Sequence, residues 1–334
     1  RKFLRASENS VGAAKAISIR KNLANIETYS SNLDTAASIF TSAESGLKQI
    51  SSRISDVTDS LISGVNGDKG QTEREIIANE IENVAKDMLK TLNADYADRK
   101  LFGGTNNSSQ AFEYDSKTGK VLFNGIDINS NEALKGVDGN FYFGGEDVSE
   151  KVASGEITIT TANTADYIET QDGKYFYKPN QITEDQANGN NSQRFEGTKS
   201  ILIDIGIGIK FDDKGMIDPA SALDISLNGA ELTGNGVDGN GLSNNIIQLA
   251  FDAAQSLRSN DVGKSMELLD KIKSATSTLL VGITNLGVRE QAIDFNKSKL
   301  DEDKFNLQAG QVKAEGMSEV DLAEAITQYK TIES

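Results

Sequence analysis

The sequence predicts an α+β protein: a long antiparallel α-helical rod, a coiled-coil-like bundle of the N- and C-terminal segments, with an inserted β-rich domain. Three observations predict it. Large apolar residues recur at every seventh position from Ile19 to Leu61, and they recur again from Ile272 to Leu307. Between the two, the heptads give way to Gly, Asn, Asp and Thr with short apolar runs. The division that follows is residues 1–102 with 242–334 as the rod and 103–241 as the insertion.

The first helix is expected from Ala6 to about Ser63, with N-cap candidates among Ser7, Glu8, Asn9 and Ser10. Its seam reads Ile19, Ile26, Leu33, Phe40, Leu47, Ile54 and Leu61. Three residues after each lies a second row, Asn22, Tyr29, Ala36, Ala43, Ile50 and Val57, with polar residues elsewhere. So narrow and long an apolar stripe needs a partner of similar length, because an isolated helix gains nothing from it in water. Gly64, Gly67 and Gly70 end the helix. Thr72 and Glu75 form a capping-box pattern for a second helix, with Ile77, Ile81, Val84, Met88 and Leu92 on one face. That helix is expected to stop at Leu101-Phe102-Gly103-Gly104.

In the insertion the expected strands are Val121–Phe123, Phe141–Phe143, Glu156–Thr161, Lys174–Tyr177, Ser200–Ile209 and Met216–Ile217. Turn signals such as Lys117-Thr118-Gly119-Lys120 and Asp138-Gly139-Asn140 separate them. Isoleucine at every second place from Ile201 to Ile209 predicts a strand with one buried face.

Helix resumes at Leu242 behind Ser243 or Asn244 as cap, with Ile246, Ile247, Leu249, Ala250, Ala253, Ala254 and Leu257 on its face. Ser259-Asn260-Asp261 breaks it, and Asp261 is placed to cap the next helix. That helix carries the matching seam: Ile272, Leu279, Leu286, Ile293, Leu300 and Leu307. Its flanking row begins Leu269, Thr276, Ile283 and turns polar at Glu290, Lys297 and Lys304. A last helix is expected from Ser318, with Asp321 in capping-box position. The chain opens on Arg1 without an initiating Met and closes inside a helical pattern, so both ends read as trimmed.

Composition narrows the function. The 334 residues are 25% charged and 37% hydrophobic, a foldable and soluble balance. A net charge of −16 argues against nucleic acid as a partner, and no apolar run approaches the ~20 residues that cross a bilayer, so no membrane partner is expected. The absence of Cys and His removes thiolate chemistry, the commonest general base and the commonest metal ligand. No enzyme activity, cofactor or metal is therefore expected.

The stretches that come nearest to a chemical site each lack a part of it. Asp127-x-Asn129-x-Asn131, with Asp138 at the twelfth place, resembles a calcium loop but has Glu132 where Gly is needed. Gly206-Ile207-Gly208 lacks the third glycine of a dinucleotide loop. Asp212-Asp213 and Glu184-Asp185 are carboxylate pairs in polar turns, with nothing to desolvate them. Asn106, Asn107 and Asn190 fit the N-x-[ST] pattern and receive no role.

Several stretches resemble the flagellin superfamily, and within it the hook-associated proteins of the hook–filament junction. They are Arg5-Ala6-Ser7-Glu8-Asn9-Ser10-Val11-Gly12, the helix with Leu33, Ala43-Glu44, Gly46-Leu47 and Ile50, and Leu101-Phe102-Gly103-Gly104-Thr105. Gly119-Lys120-Val121-Leu122-Phe123-Asn124-Gly125 and Asp321-Leu322-Ala323-Glu324-Ala325-Ile326-Thr327 belong with them, and the resemblance covers about 1–125 and 195–334. It implies an inner wall of antiparallel helices with a β-rich domain outside. It also implies a mechanical role as adaptor between hook and filament, outside the cell after export through the flagellar secretion apparatus. The implied partners are copies of itself in a helical or tubular array, the other hook-associated junction protein, flagellin and an export chaperone. In an acidic chain, basic residues on the helices are natural partners across subunits, and Arg20, Lys21, Arg53, Arg74, Arg289 and Lys297 are the candidate intersubunit contacts. A self-polymerising, flagellin-like filament subunit shares the same helices. A surface enzyme or adhesin on a helical stalk would place its chemistry in the β-rich part.

Overall fold

The computed structural model describes residues 10–97, 99–105, 110–161, 163–188, 194–195, 200–213 and 215–314. The cap candidates Ser7–Asn9, the helix from Ser318 with Asp321–Ile326, and Asn106, Asn107 and Asn190 lie outside the described residues.

Two long helices come first: α1, Ser10–Val65, and α2, Gln71–Leu92. Short strands follow: β1 Asp95–Tyr96, β2 Arg99–Lys100, β3 Phe112–Asp115, β4 Lys120–Phe123, β5 Ile126–Asp127, β6 Ala133–Lys135, β7 Phe141–Phe143 and β8 Glu146–Asp147. After helix α3, Ser149–Ala153, come β9 Tyr167–Glu169, β10 Tyr175–Tyr177 and β11 Asn180–Ile182. The remaining elements are α4 Glu184–Asn188, β12 Leu202–Ile203, β13 Leu223–Asp224, α5 Gly229–Thr233, α6 Ile246–Arg258 and α7 Val262–Ala314. All strand pairings are antiparallel, in sheets ordered β1-β2, β3-β4-β5, β11-β7-β6, β8-β10-β9 and β12-β13. No helix among the described residues is long and apolar enough to cross a membrane.

The chain divides into two compact units. One comprises Arg1–Phe40, Leu202–Ile225 and Val288–Ser334, the other Thr41–Ile201 and Ser226–Gly287.

In the first unit the N-terminal part of α1 and the C-terminal part of α7 run antiparallel. Arg289 lies 5.7 Å over the Phe40 ring, Lys297 pairs with Asp34, and the Cβ position of Gly310 is 3.5 Å from Ile19. Rising number on one helix thus meets falling number on the other. The seam between them buries Ile19, Ile26, Leu33 and Phe40 from α1 and Ile293 and Leu300 from α7, while Leu307 is only half-buried. The run Ser200–Ile209 is not the expected strand. Only Leu202–Ile203 pairs, with β13, and Gly206 and Gly208 take φ of +86° and +88°, which break a pleat. Instead the run straps onto α1: Asn32 Nδ2 donates to the Asp204 carbonyl at 2.7 Å, and a Cβ at Gly206 would stand 2.6 Å from the Tyr29 ring. Met216–Ile217 supplies one isolated bridge, Ile217 to Phe211, rather than a strand.

In the second unit the seam residues Leu47, Ile54 and Leu61 of α1 and Ile272, Leu279 and Leu286 of α7 are all buried. The flanking row of α7 is Leu268, Ala275 and Gly282, not Leu269, Thr276 and Ile283, which are half-buried. Small residues on the correct side allow close approach: the Cβ position of Gly282 is 3.2 Å from Leu232. Helix α2 begins one residue before the expected box. Gly70 is its N-cap, and the Glu73 carboxylate accepts the Gly70 N–H at 2.7 Å. Helix α6 is buried on nearly every side, and its N-cap is Asn245, not Ser243 or Asn244. Asn245 Oδ1 accepts from the amides of Ile247 and Gln248, and Nδ2 donates to Thr233 Oγ1 and the Gly234 carbonyl. Asp261 does cap α7, accepting from the Lys264 amide at 2.9 Å.

The strands of this unit hang on polar brackets from the helices. Asn93, at the end of α2, exchanges two hydrogen bonds with the Phe112 backbone, at 2.7 and 2.8 Å. Gln248 of α6 accepts the Val121 N–H and donates to the Gly119 carbonyl, fixing the β3–β4 hairpin. An aromatic cluster of Phe112, Phe123, Phe143 and Phe195, with centroids 4.9–6.0 Å apart, fills the space behind the sheets. The expected strand at Glu156–Thr161 is absent; that run is bend and coil.

Candidate assembly surface

The seam positions except Leu307 are buried, so the surface offered to another chain lies on the outward faces of the helices. In the first unit Arg20 and Lys21 are exposed on α1. Arg289 is exposed too, but its guanidinium already rests on Phe40. Lys297 is engaged by Asp34 of its own chain. In the second unit Arg53 is exposed and paired with Asp56, three residues on, at 3.3 Å.

Arg74 corrects the expectation. It is 8% exposed and knots three helix ends: Nε donates to the Gly64 carbonyl at 3.0 Å, Nη2 to the Asn66 carbonyl at 3.4 Å, and Nη1 to Asn260 Oδ1. Such a fork satisfies carbonyls left over at the end of α1, a task suited to a planar guanidinium. Arg74 is therefore committed inside its own unit.

Sequence reasoning missed the apolar residues on the outward face. Val288 and Phe295 of α7 are 59% and 72% exposed, one heptad apart and on the side away from the buried seam. Their signal was a second seven-residue repeat, two places after Leu286 and Ile293.

The chemical candidates dissolve into local structure. Asp127 pairs with Lys120 and accepts from the Asn129 amide, Asn129 Oδ1 accepts from Ser243, and Asn131 exchanges hydrogen bonds with the Val237 backbone. Asp138 is tied to Tyr142 instead, whose hydroxyl holds the carboxyl below its ordinary pKa. No group of three or more metal-ligating side chains occurs among the described residues. A polar cavity of about 250 Å³ beside α5 and α7 is lined by Glu231, Asn235, Asn244, Lys271, Ser274 and Thr278. Its one cation, Lys271, is held by Asp238 and Asn244 at 2.8 and 2.7 Å.

Comparison with known proteins places this arrangement. The family model of the bacterial flagellin N-terminal helical region matches residues 1–107, which span α1, α2 and the first strand pair. The N-terminal part is thus similar to the flagellin N-terminal helical region. No curated protein sequence matches the chain. Among solved structures, the protein of Vibrio parahaemolyticus assigned as a flagellar hook-associated protein matches at 13% identity and TM-score 0.58, covering 92% of this chain and 100% of that one. Bacillus cereus FlgL matches at 14% identity and TM-score 0.51, over 88% of this chain and 99% of that one. Hook-associated protein 3 of Legionella pneumophila matches at 14% identity and TM-score 0.51, over 89% and 98%. The chain thus shares the fold of these solved structures, and the match to the flagellin N-terminal region covers its first two helices and first strand pair.

Proposed function

We propose that this protein is a structural component of the bacterial flagellum, an adaptor that joins hook to filament at their junction. The observation that carries the reading is the combination of a flagellin-type N-terminal region with a fold shared, over 92% of the chain, with a protein assigned as hook-associated. The outward faces of α1 and α7 are then its contacts with copies of itself, with Arg20, Lys21 and Arg53 as polar partners and Val288 and Phe295 as apolar ones. Many modest heterologous contacts that do not close on themselves generate a helical or tubular array, which is what a segment of tube requires. The other hook-associated junction protein would meet one end of that array and flagellin the other. The protein would act outside the cell after export by the flagellar apparatus, escorted by an export chaperone, and without catalysis.

The flagellin-type region favours one second reading, a self-polymerising filament subunit. Seeded assembly separates the two. Purified full-length monomer is added to short flagellin filaments, and separately to hooks bearing the other junction protein, and growth is followed by electron microscopy. A short zone added only to the hooks supports the adaptor. Unlimited elongation of the filaments would replace it with the filament subunit.

A further inference from the structure

The sequence contains six Asn–Gly pairs, at Asn66, Asn124, Asn188, Asn228, Asn235 and Asn240. In such a pair the amide nitrogen of the glycine can attack the asparagine side chain, provided both groups are free to approach. Asn188 is followed by a residue outside the described set, and the structure sorts the other five. Asn124 Nδ2 donates to the Gly103 carbonyl. Asn228 is buried and caps α5, accepting from the Glu231 amide, while the Gly229 N–H donates to the Phe102 carbonyl. Asn235 Nδ2 donates to the Ala230 carbonyl, and the Gly236 N–H to the Ile128 carbonyl at 2.7 Å. At Asn240 the nucleophile is occupied, because the Gly241 N–H donates to the Asp238 carbonyl at 3.0 Å.

Asn66 differs in both respects. It sits in the turn between α1 and α2, exposed like Gly67, and among the described residues neither its side-chain amide nor the Gly67 N–H has a hydrogen-bond partner. The space around Gly67 is open, since a Cβ there would meet nothing within 4 Å. We propose that Asn66 is a self-modifying site, where the Gly67 backbone nitrogen closes on the Asn66 side chain and converts it to an aspartyl or isoaspartyl residue.

The step balances without a cofactor. Hydroxide removes the Gly67 amide proton, and the nitrogen forms a bond to Asn66 Cγ. The Cγ–Nδ2 bond breaks and Nδ2 leaves as ammonia, giving a five-membered succinimide. Water then opens the ring at either carbonyl, yielding the aspartyl or the isoaspartyl product with no change of oxidation state. The product places a carboxylate beside Arg74, whose guanidinium already binds the Asn66 carbonyl. In the isoaspartyl form the main chain runs through the former side chain, so the carbonyl that Arg74 and the Lys69 amide bind becomes the free carboxylate and the backbone gains one methylene between Asn66 and Gly67. The turn that the Arg74 knot secures is then loosened.

The test incubates the folded protein at mildly alkaline pH and maps its peptides over time by mass spectrometry, with isoaspartyl peptides resolved chromatographically. Asn66 should convert about tenfold faster than Asn240, the advantage expected when no hydrogen bond has to break first. In denaturant the preference for Asn66 should vanish. Gly67→Ala, which the open space accommodates, should fold normally and slow the conversion by hindering the nucleophile. Conversion at Asn228, Asn235 or Asn240 as fast as at Asn66 in the folded protein would overturn the proposal. So would a Gly67→Ala variant that converts at the wild-type rate.

Discussion

Lys297 of α7 reaches across the seam of the first unit to the carboxylate of Asp34 on α1. Asp34 stands beside Leu33, a residue with no exposed surface. The two neighbours do different work. The ion pair remains partly wet, with side-chain exposures of 34% and 61%, so it fixes register more than it stabilises.

Lys297→Ala should therefore change the unfolding free energy by less than about 1 kcal/mol, whereas Leu33→Ala should cost about 2–5 kcal/mol by leaving a cavity in the seam. Urea denaturation of both variants checks this. Equal losses would mean that the seam is held by charge rather than by burial.

Gly64 is buried where α1 passes α6, and a Cβ there would come within 2.9 Å of both Leu257 methyl carbons. Gly64→Ala should destabilise by about 1–3 kcal/mol, and adding Leu257→Val should recover part of the loss by removing the clash. Thermal melting of the single and double variants reads this directly. A double variant weaker than the sum of the singles would refute the steric account.

Removing the Arg74 fork should strand carbonyls at the end of α1. Arg74→Ala should lower stability by about 1–3 kcal/mol in the isolated monomer, and Arg74→Lys should restore only part, because a compact ammonium lacks the planar fork that reaches three separated acceptors from three nitrogens. If Arg74 served another subunit instead, the monomer's melting temperature would not move.

Burial raises the pKa of the Asp252 carboxyl, against the opposing Gln248 hydrogen bond and the attraction of Lys264; nearby Asp127 adds to the rise. A folded-state pKa above the unfolded one makes the native state hold the proton longer, so stability falls as pH rises between the two values. Asp252→Asn keeps an oxygen to accept from Gln248 and removes the penalty. It should be more stable than wild type at neutral pH. The advantage should shrink to nothing as pH falls below the ordinary aspartate range, near about 4. Melting curves across that range test the sign.

The two seams were legible because large apolar residues rarely fall at a strict seven-residue spacing unless a long helix buries them: Leu33, Leu47, Ile272 and Leu279 are buried as the pattern requires. The flanking row of α7 was not, because its true members include Ala275 and Gly282, whose small side chains carry little hydrophobic signal. The isoleucine run at 201–209 misled for the opposite reason. Its period of two was real, but glycines at 206 and 208 take left-handed backbone that no pleat accepts. Arg74 looked like a surface cation because charge is visible in a sequence, while the leftover carbonyls of Gly64 and Asn66 are not. Val288 and Phe295 were readable as a second heptad row and were masked by the stronger seam beside it.

The interleaving of the two units sets the order in which the chain can fold. The second unit is complete once residue 287 has been made, but the first needs residues from three separated stretches, the last beginning at Val288. During synthesis, or on emergence from any narrow passage N-terminus first, α1 residues up to Phe40 have only the 202–225 stretch to pack on until the final stretch is made. Closing such distant contacts is slow. The exposed seam of Ile19, Ile26 and Leu33 is then the surface most in need of a chaperone, and the first unit should be the last to acquire protection from hydrogen exchange.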